Sequence, residues 1–242
     1  MISSALQFPD FYHGVPFPHA VIDNFWDHDV AENIHSEMSD IEFNGNYDNP
    51  FELKQTCNIW DRFPKTIYQA FIYLSTPEFV NTLRINLNMP GLIADPGLHG
   101  GGVHYHPAGG KLNPHVDYSH HPKQGYRRKL NLLMYFNPGW QTGDGGELGM
   151  WTPRQIADYS DPEIVIEPVF NRAVFFESSE HSYHGLARPS NTERRSLAMY
   201  YLIPDDTDVV NPKAVFVPTA EQRDDPEVHR LAELRKSQRL EQ

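Results

Sequence analysis

The sequence predicts a mainly β fold, a sandwich or jelly roll, with helices in its N-terminal part and one helix near its C-terminal end. Two observations support this class. The 242 residues include 20 prolines, 16 glycines and 12% aromatic residues, a composition typical of short strands joined by tight turns. Short apolar runs interrupted by Gly, Pro and Asn also follow one another from about residue 92 to residue 204.

Eight short segments of this region have the length and composition of strands. They cover residues 102–106, 115–118, 129–136, 147–152, 164–169, 173–177, 182–186 and 195–203. The apolar runs at 130–136 and 197–203 have no polar face, so we expect these two strands to be buried from both sides. Another layer must then cover the outer face of the sheet.

The N-terminal part is predicted to supply that layer. Residues 17–25 alternate enough to form an entry strand. Asp27 can cap a first helix, Pro64 can begin a second, and residues 75–78 resemble the cap and first turn of a third. We expect these helices to pack on the sheet.

Length, charge and cysteine content exclude several classes of protein. We expect one domain, 1–242, with a helix and strand support in 1–94, a strand-rich core in 95–205, and a tail in 206–242 whose helix runs to Arg239. The net charge of −12 argues against a nucleic-acid partner, and one cysteine cannot form a disulfide framework. No stretch reaches the ~18 apolar residues of a membrane span, and no signal peptide is evident. These features predict a cytoplasmic protein without a membrane partner; they leave its oligomeric state open.

Candidate metal ligands come from two distant segments. His115 and Asp117 are two residues apart in a predicted strand and would face the same side. Alone, this pair is more often an ordinary His–Asp hydrogen bond. His184, from a later strand, would complete two imidazoles and one carboxylate, the facial triad of non-haem Fe(II) sites. His181 is an alternative third ligand.

The last predicted strand begins with a candidate anion-binding pair. Arg194 and Ser196 share one face by the same two-residue rule. A guanidinium and a hydroxyl suit a buried carboxylate, because the arginine gives two charge-assisted hydrogen bonds. Arg195 is an alternative, but it would face away from Ser196.

These segments together resemble a known family. HVD at 115–117, YHGL at 183–186 and RRS at 194–196 look like the HxD…H…RxS pattern of the Fe(II)/2-oxoglutarate-dependent dioxygenases. The stretches YHPAGG, LLMYFN, GGELGMW and AVFFES make residues 95–205 similar to the prolyl 4-hydroxylase-like branch. The resemblance implies a double-stranded β-helix (jelly-roll) core that uses Fe(II), 2-oxoglutarate and O2. It also implies hydroxylation of an unactivated C–H bond, with release of succinate and CO2.

The resemblance further implies a substrate and roles for individual residues. The substrate is expected to be a prolyl residue or a proline-like compound, so a peptide or a small molecule. The implied iron ligands are His115, Asp117 and His184. The residues implied to hold 2-oxoglutarate are Arg194, Ser196, Tyr135 and Tyr105, the last near its metal-bound end. The residues expected to face the substrate are Arg128, Tyr200 and Trp151.

Two other functions stay open at this point. A cupin-type metalloenzyme that does not use 2-oxoglutarate would have no reason to bury Arg194 opposite the metal. A non-catalytic jelly-roll binding module would tolerate loss of His184. Halogenation is disfavoured, because halogenating relatives lack the carboxylate that Asp117 provides. Further clustered histidines could form a second metal site, although a polar loop beside an active site is the commoner explanation; they are His104, His106, His120 and His121.

Overall fold

The structure is a computed structural model that describes residues 2, 6–205, 211 and 213–237. Its strands are β1 His19–Ile22, β2 Gly45–Asn49, β3 Glu52–Cys57, β4 Ile93–Ala94, β5 Gly102–His106, β6 Lys111–Leu112, β7 His115–Val116, β8 Arg127–Tyr135, β9 Leu148–Trp151, β10 Ile164–Ile166, β11 Arg172–Glu177, β12 Tyr183–Leu186, β13 Arg194–Ile203 and β14 Val215–Phe216. Its helices are α1 His28–Glu37, α2 Lys65–Ser75, α3 Pro77–Asn86, α4 Pro153–Asp158 and α5 Pro226–Ser237.

The strands form two antiparallel sheets, as a mainly β jelly roll requires. The major sheet has nine strands in the order β1-β11-β8-β13-β5-β3-β2, with β4 paired to β13 and β6 to β3. The minor sheet has the order β10-β9-β12-β7-β14. All eight strands predicted from the sequence are present, as β5 and β7–β13, although β7 has two residues where four were predicted.

The major sheet carries an apolar core on its outer face and the candidate site on its inner face. Leu132 of β8 and Met199 of β13 point outward and pack in one buried cluster with Ile34 of α1, Ile67 of α2 and Leu83 of α3. Each such side chain stabilises the fold by roughly 1.5–3 kcal/mol through burial. The prediction that the N-terminal helices cover the sheet is therefore confirmed.

Alternation along the same strands turns their other residues toward the minor sheet. On β8 these include Leu133 and Tyr135, which belong to the smaller core between the sheets. On β13 they include Arg194 and Ser196, which lie beside each other and are buried. The period of two in a strand thus places polar residues on the inner face without disturbing the outer core.

Some elements were not predicted from the sequence. The hairpin of β2 and β3 turns at residues 49–52, where the Asn49 side chain accepts a hydrogen bond from the backbone of Phe51. Helix α4 begins with a capping box, in which the side chains of Thr152 and Gln155 bond reciprocally to backbone amides. Helix α5 was predicted, but its predicted end at Arg239 lies outside the described residues.

No helix within the described ranges combines the length and the apolar character needed to cross a bilayer. The assignment of residues 1–242 to one domain stays a prediction. The buried cluster shared by the N-terminal helices and the major sheet is consistent with it.

Candidate active site

Two strands of the minor sheet bring three candidate metal ligands together. β7 pairs with β12, and the register places His115 opposite His184. Asp117 follows two residues after His115. One carboxylate oxygen of Asp117 is 3.7 Å from Nε2 of His115, and the other is 3.6 Å from Nε2 of His184. One ligand atom from each residue lies within 4.8 Å of the other two.

The backbone fixes the orientation of both imidazole rings. Nδ1 of His115 lies 3.0 Å from the carbonyl oxygen of Asn113, and Nδ1 of His184 lies 2.9 Å from that of Ser182. A carbonyl only accepts, so each Nδ1 donates its hydrogen and each Nε2 keeps a lone pair. Burial lowers the pKa of His115 to about 3 and also lowers the pKa of His184. Both rings are therefore neutral at neutral pH and able to bind a metal ion.

Two side chains hold the carboxylate of Asp117. Nδ2 of Asn131 donates to Oδ2 of Asp117 at 2.7 Å, and Nη1 of Arg128 donates to the same oxygen at 2.8 Å. Burial alone would raise the pKa of Asp117, but the Arg128 guanidinium and the neighbouring groups hold this pKa well below its usual value. The carboxylate is therefore ionised, and Oδ1 is available for a metal ion.

The donor set fits Fe(II). Two imidazole nitrogens and one carboxylate oxygen on one side of an ion leave its other positions open, which suits a non-haem iron oxygenase. Across residues 6–205, 211 and 213–237, this is the one group of three or more His, Cys, Asp or Glu residues whose ligand atoms cluster so closely. His120 and His121 belong to no second group of this kind.

A buried arginine without a carboxylate partner lies in the same cavity. Arg194 is 4% exposed, its Nε donates to the carbonyl oxygen of Gly146 at 2.7 Å, and Nη1 donates to Oγ of Ser196 at 3.4 Å. Its guanidinium carbon is 4.9 Å from the centre of the Tyr135 ring. No described carboxylate forms an ion pair with it. Because a buried unpaired cation costs several kcal/mol, this position suits an anionic ligand.

Gly146 is needed for the position of Arg194. Its backbone has φ = +77°, a conformation that favours glycine. A Cβ at this residue would lie 2.8 Å from Oγ of Ser190 and 3.0 Å from Cδ of Arg194. A side chain here would crowd both Ser190 and the arginine, which gives a physical reason for a glycine within the GGEL segment.

One cavity of about 480 Å³ contains both the triad and Arg194. Its floor is the inner face of the major sheet, where pairing aligns residues of neighbouring strands. Thr56 lies opposite His104, His104 opposite Ser196, and Ser196 opposite Tyr135. In the next row, Arg194 lies opposite His106. The candidate metal site and the candidate anion site therefore belong to one chamber.

His104 and His106 line this chamber, which the sequence reasoning missed. Both ring nitrogens of His106 and Nε2 of His104 are buried without a hydrogen-bond partner among the described residues. Burial, together with the charges of Lys54 and Arg194, lowers the pKa of His104 to about 3 and that of His106 well below its ordinary value. Buried polar atoms without partners are rare, so this part of the floor suits a polar ligand. The two-residue spacing of His104 and His106 on one strand was the signal in the sequence that could have indicated their shared face.

Tyr105 does not face the chamber, which contradicts its predicted position beside 2-oxoglutarate. Strand alternation turns it away from the side of His104 and His106. Its ring stacks on Phe43, with the ring centres 5.7 Å apart. The sequence reasoning assigned the inner face to the tyrosine when its two histidine neighbours occupy it.

Arg128 lies at the chamber as a partner of Asp117. Its guanidinium carbon is 3.9 Å from the ring centre of Tyr118 and 3.5 Å from that of Tyr200. A bulge in β8 leaves Lys129 opposite no residue of β13 and turns Arg128 toward Asp117. The pairing with Asp117 gives Arg128 a structural role that was not predicted, and its predicted contact with substrate stays a prediction. Tyr200 lines the chamber and stays a candidate for substrate contact.

Trp151 lies outside the chamber, which corrects its predicted substrate role. Its neighbour Met150 points into the core between the sheets. Trp151 points the other way, and its Nε1 donates to the carbonyl oxygen of Ser160 at 3.2 Å. It lines a separate cavity of about 370 Å³ together with Tyr159.

The structure also separates the alternatives that the sequence left open. His181 is exposed, whereas His184 is buried beside Asp117. Arg195 faces away from the chamber, where its guanidinium contacts Glu193 at 2.9 Å and Oγ of Ser39 at 3.1 Å.

Comparison with known proteins places this geometry in a family. Residues 101–202 match the model of the 2OG-Fe(II) oxygenase superfamily. This range contains the triad, Arg194 and the strands that position them. This part of the chain is therefore similar to the 2OG-Fe(II) oxygenase superfamily. The match supports the predicted Fe(II), 2-oxoglutarate and O2.

Several prolyl hydroxylases are similar to this chain. The prolyl 3-hydroxylase OGFOD1 of Mus musculus is 24% identical over 198 residues, which cover 79% of this chain and 34% of the mouse protein. The chain thus spans about a third of that relative. A prolyl-4-hydroxylase of Pseudomonas putida has a TM-score of 0.59 and 21% identity, covering 77% of this chain and 92% of its own. A prolyl hydroxylase of Trichoplax adhaerens, solved with a hypoxia inducible factor peptide, has a TM-score of 0.54 and 18% identity, covering 76% and 83%. The predicted double-stranded β-helix core is confirmed.

The buried histidines predict that the metal-free oxygenase loses stability as the pH falls. The pKa values of His104 and His115 are lowered to about 3 by burial, against 6.5 for an ordinary histidine. Between these values the unfolded chain binds more protons than the folded one. Each such histidine therefore removes up to about 1.4 kcal/mol of unfolding free energy per pH unit below 6.5.

Urea denaturation in the presence of a chelator tests this dependence. The free energy of unfolding should be lower at about pH 5.5 than at about pH 7, and His104→Gln should flatten the difference. The matched substitution of an exposed histidine, His181→Gln, should leave the difference unchanged. An unfolding free energy that does not change between the two pH values would contradict the assignment.

The ion pair of Arg128 with Asp117 leads to a separate prediction. Arg128→Met leaves a buried carboxylate without its cation, so the free energy of unfolding should fall by about 3–5 kcal/mol. Metal affinity should also fall, because the pKa of the Asp117 carboxyl rises and protons compete with the ion. Urea denaturation and calorimetric titration with Mn(II) measure the two effects. Arg127→Met, at a half-exposed neighbour, should change both far less; equal effects would contradict the role of Arg128.

Proposed function

We propose that this oxygenase hydroxylates an unactivated C–H bond of a prolyl residue or a proline-like compound while 2-oxoglutarate is converted to succinate and CO2. One observation carries the proposal for the site. The triad and a buried arginine that has no carboxylate partner among the described residues open into the same cavity.

In this proposal three side chains hold Fe(II). His115 and His184 would hold it through Nε2, and Asp117 would hold it through a carboxylate oxygen. When bound, the iron together with 2-oxoglutarate and O2 supplies the oxidising power of the reaction. The chain supplies the orientation: two backbone carbonyls fix the imidazole rings, and Arg128 and Asn131 fix the carboxylate.

The distal carboxylate of 2-oxoglutarate would bind at Arg194. The guanidinium already donates to Gly146 and Ser196, which sets its plane before the ligand arrives. The buried hydroxyl of Tyr135 lies beside it and makes no hydrogen bond of normal geometry with a described residue. A carboxylate would satisfy both groups, so the position is polar, buried and incomplete without a ligand.

The assignment of a proline-type substrate is supported by the named relatives. The mouse relative is a prolyl 3-hydroxylase, and the Pseudomonas structure is a prolyl-4-hydroxylase. Together they support a proline ring as the substrate, but they do not favour one ring carbon as the position of hydroxylation. On this chain, Tyr200 lines the cavity near Arg128 and donates to the carbonyl oxygen of Gly100 at 3.0 Å. Tyr200 therefore stays a candidate for contact with the substrate.

The alternatives left open by the sequence have less support. A cupin-type enzyme without 2-oxoglutarate would leave the buried Arg194 unexplained. A non-catalytic binding module would not need two imidazole rings held with their Nε2 lone pairs toward one carboxylate. The family match of residues 101–202 also opposes both.

Succinate release with a panel of proline compounds tests the proposal. Prolyl peptides or free proline derivatives should raise the release of succinate above the level without substrate, and the product should gain one oxygen atom by mass spectrometry. A chelator should stop the reaction. Turnover of 2-oxoglutarate that no proline compound stimulates would overturn the substrate assignment, whereas no turnover with any compound would overturn the site.

A further inference from the structure

The lining of the cavity has a net positive charge, whereas the whole protein has a net negative charge. The whole chain has 20 Lys and Arg residues against 32 Asp and Glu residues. The cavity, in contrast, is lined by five cationic side chains and two carboxylates: Lys54, Arg128, Arg194, Lys213, Arg235, Glu52 and Asp117. A cationic chamber in an acidic protein raises the local concentration of anions, so its ligands are expected to be negatively charged.

Two of these cations already have a role. Arg128 is paired with Asp117, and Arg194 faces the proposed position of the 2-oxoglutarate carboxylate. The other cations come from three different parts of the chain: Lys54 from β3, Lys213 from the segment before β14, and Arg235 from α5. Segments far apart in sequence therefore bring positive charge to the same opening.

A single carboxylate is shared by two of these cations. Nζ of Lys54 is 3.2 Å from one oxygen of Glu52, and Nη2 of Arg235 is 3.3 Å from the other. The side chain of Glu52 is 3% exposed, that of Lys54 14% and that of Arg235 30%. One positive charge of this group is therefore not balanced by Glu52. Because the group is largely withdrawn from water, salt screens this charge less than a surface charge.

Lys54 and Arg235 are also close to the proposed reaction centre. Lys54 precedes Gln55, which lies opposite Tyr105 in the pairing of β3 with β5, and the positive charge of Lys54 contributes to the lowered pKa of His106. The guanidinium carbon of Arg235 is 4.5 Å from the centre of the Phe216 ring, and this ring stacks on His115 with centres 4.8 Å apart. One aromatic ring thus separates Arg235 from a proposed iron ligand.

We propose that the prime substrate is an anion, whose carboxylate binds to Lys54 and Arg235 at the excess positive charge that Glu52 leaves unbalanced, while the C–H bond to be oxidised lies at the triad. This deepens the proposed function and rests on it only in placing the reaction at the triad. The carboxylate comes either from an acidic residue beside a proline in a peptide or from the carboxylate of a free proline-like acid. Both present the same group to the same pair of cations.

Binding of matched probes tests the proposal without turnover. The 242-residue protein is loaded with Mn(II) and 2-oxoglutarate, and broadening of the probe's proton resonances reports binding next to the metal. One pair compares acetyl-prolyl-glutamate amide with acetyl-prolyl-glutamine amide, and the other compares N-acetylproline with N-acetylprolinamide. The acidic member of at least one pair should bind about fivefold tighter or more, and added salt should reduce the difference. The pair that shows the preference identifies the source of the carboxylate.

Variants tie the preference to the two cations. Lys54→Met and Arg235→Met should each remove most of it, and Lys54→Arg should retain it. Lys129→Met is the matched control, because this lysine is also partly buried and ion-paired, with Glu177, and it does not line the cavity. The proposal would be overturned by equal broadening within both pairs or by absence of broadening in both. It would also be overturned by a preference for the acidic probe that survives Lys54→Met and Arg235→Met.

The proposed function fails by a different result. Acidic probes that bind beside Mn(II) but stimulate no succinate release with Fe(II) would overturn prolyl hydroxylation and leave the anionic substrate standing. Stimulated hydroxylation of neutral and acidic prolyl peptides at equal affinity would overturn the anionic substrate and leave prolyl hydroxylation standing.

Discussion

His184→Ala is expected to abolish 2-oxoglutarate turnover, whereas His181→Ala, three residues away, should leave it within about twofold of the wild type. The physical reason is that the triad has three protein ligands, and loss of one should weaken metal binding by more than the roughly 10–100-fold seen when only a supporting residue is lost. The measurements are succinate release with Fe(II) and calorimetric titration with Mn(II). His115→Ala and Asp117→Ala should behave like His184→Ala.

The His181 control separates this assignment from a general loss of fold. His181 is exposed, and its ring is not among the clustered ligand atoms. Thermal denaturation should show that both histidine variants remain folded in the presence of a chelator. A His184→Ala protein that binds Mn(II) like the wild type, or that keeps its turnover, would contradict the site.

Arg194→Met is expected to weaken 2-oxoglutarate binding by roughly 100-fold and to leave Mn(II) affinity nearly unchanged. Two charge-assisted hydrogen bonds to one carboxylate, at about 1.5 kcal/mol each, give a loss of this size. Titration of 2-oxoglutarate into Mn(II)-loaded protein measures the first quantity, and titration of Mn(II) into the metal-free protein measures the second.

Arg195→Met is the matched control for this second prediction. Arg195 is the adjacent residue on the same strand, and its guanidinium faces away from the cavity toward Glu193. Its substitution should change neither affinity by more than about twofold, since its side chain contacts Glu193 and Ser39 and neither binding position. If Arg194→Met reduced both affinities equally, misfolding or a wrong assignment would explain the result better than loss of a co-substrate contact.

Much of the fold could be predicted because its strands follow simple patterns. β8 and β13 are apolar on both faces, and this correctly predicted a covering layer of helices. The same two-residue period predicted that His115 shares a side with Asp117, and Arg194 with Ser196. The pairing of β7 with β12, which brings His184 opposite His115, is a matter of register that no local pattern contains.

The errors in the candidate site also have physical causes. In β5, a shift of one residue exchanges the two faces, so Tyr105 was assigned the place that His104 and His106 occupy. The contact of Arg128 with Asp117 was not predicted either, because in β8 the bulge at Lys129 turns this arginine toward the carboxylate, against the alternation of the rest of the strand. A bulge of this kind depends on the partner strand and leaves no clear mark in the sequence.

The hairpin of β2 and β3 was missed for a functional reason. Strand β3 carries Glu52, Lys54 and Thr56 on the face that lines the cavity, so it lacks the apolar alternation by which strands are recognised. Local rules fail most often where a chain is adapted to a ligand. The same residues that hid the strand contribute to the proposed anionic specificity.

A crystal structure of the protein with Mn(II) and 2-oxoglutarate, with the metal located by its anomalous scattering, tests the central claim most directly. We expect one ion bonded to Nε2 of His115, Nε2 of His184 and a carboxylate oxygen of Asp117, with the distal carboxylate of 2-oxoglutarate on the guanidinium of Arg194. An ion bound elsewhere, or 2-oxoglutarate bound without a contact to Arg194, would contradict the account.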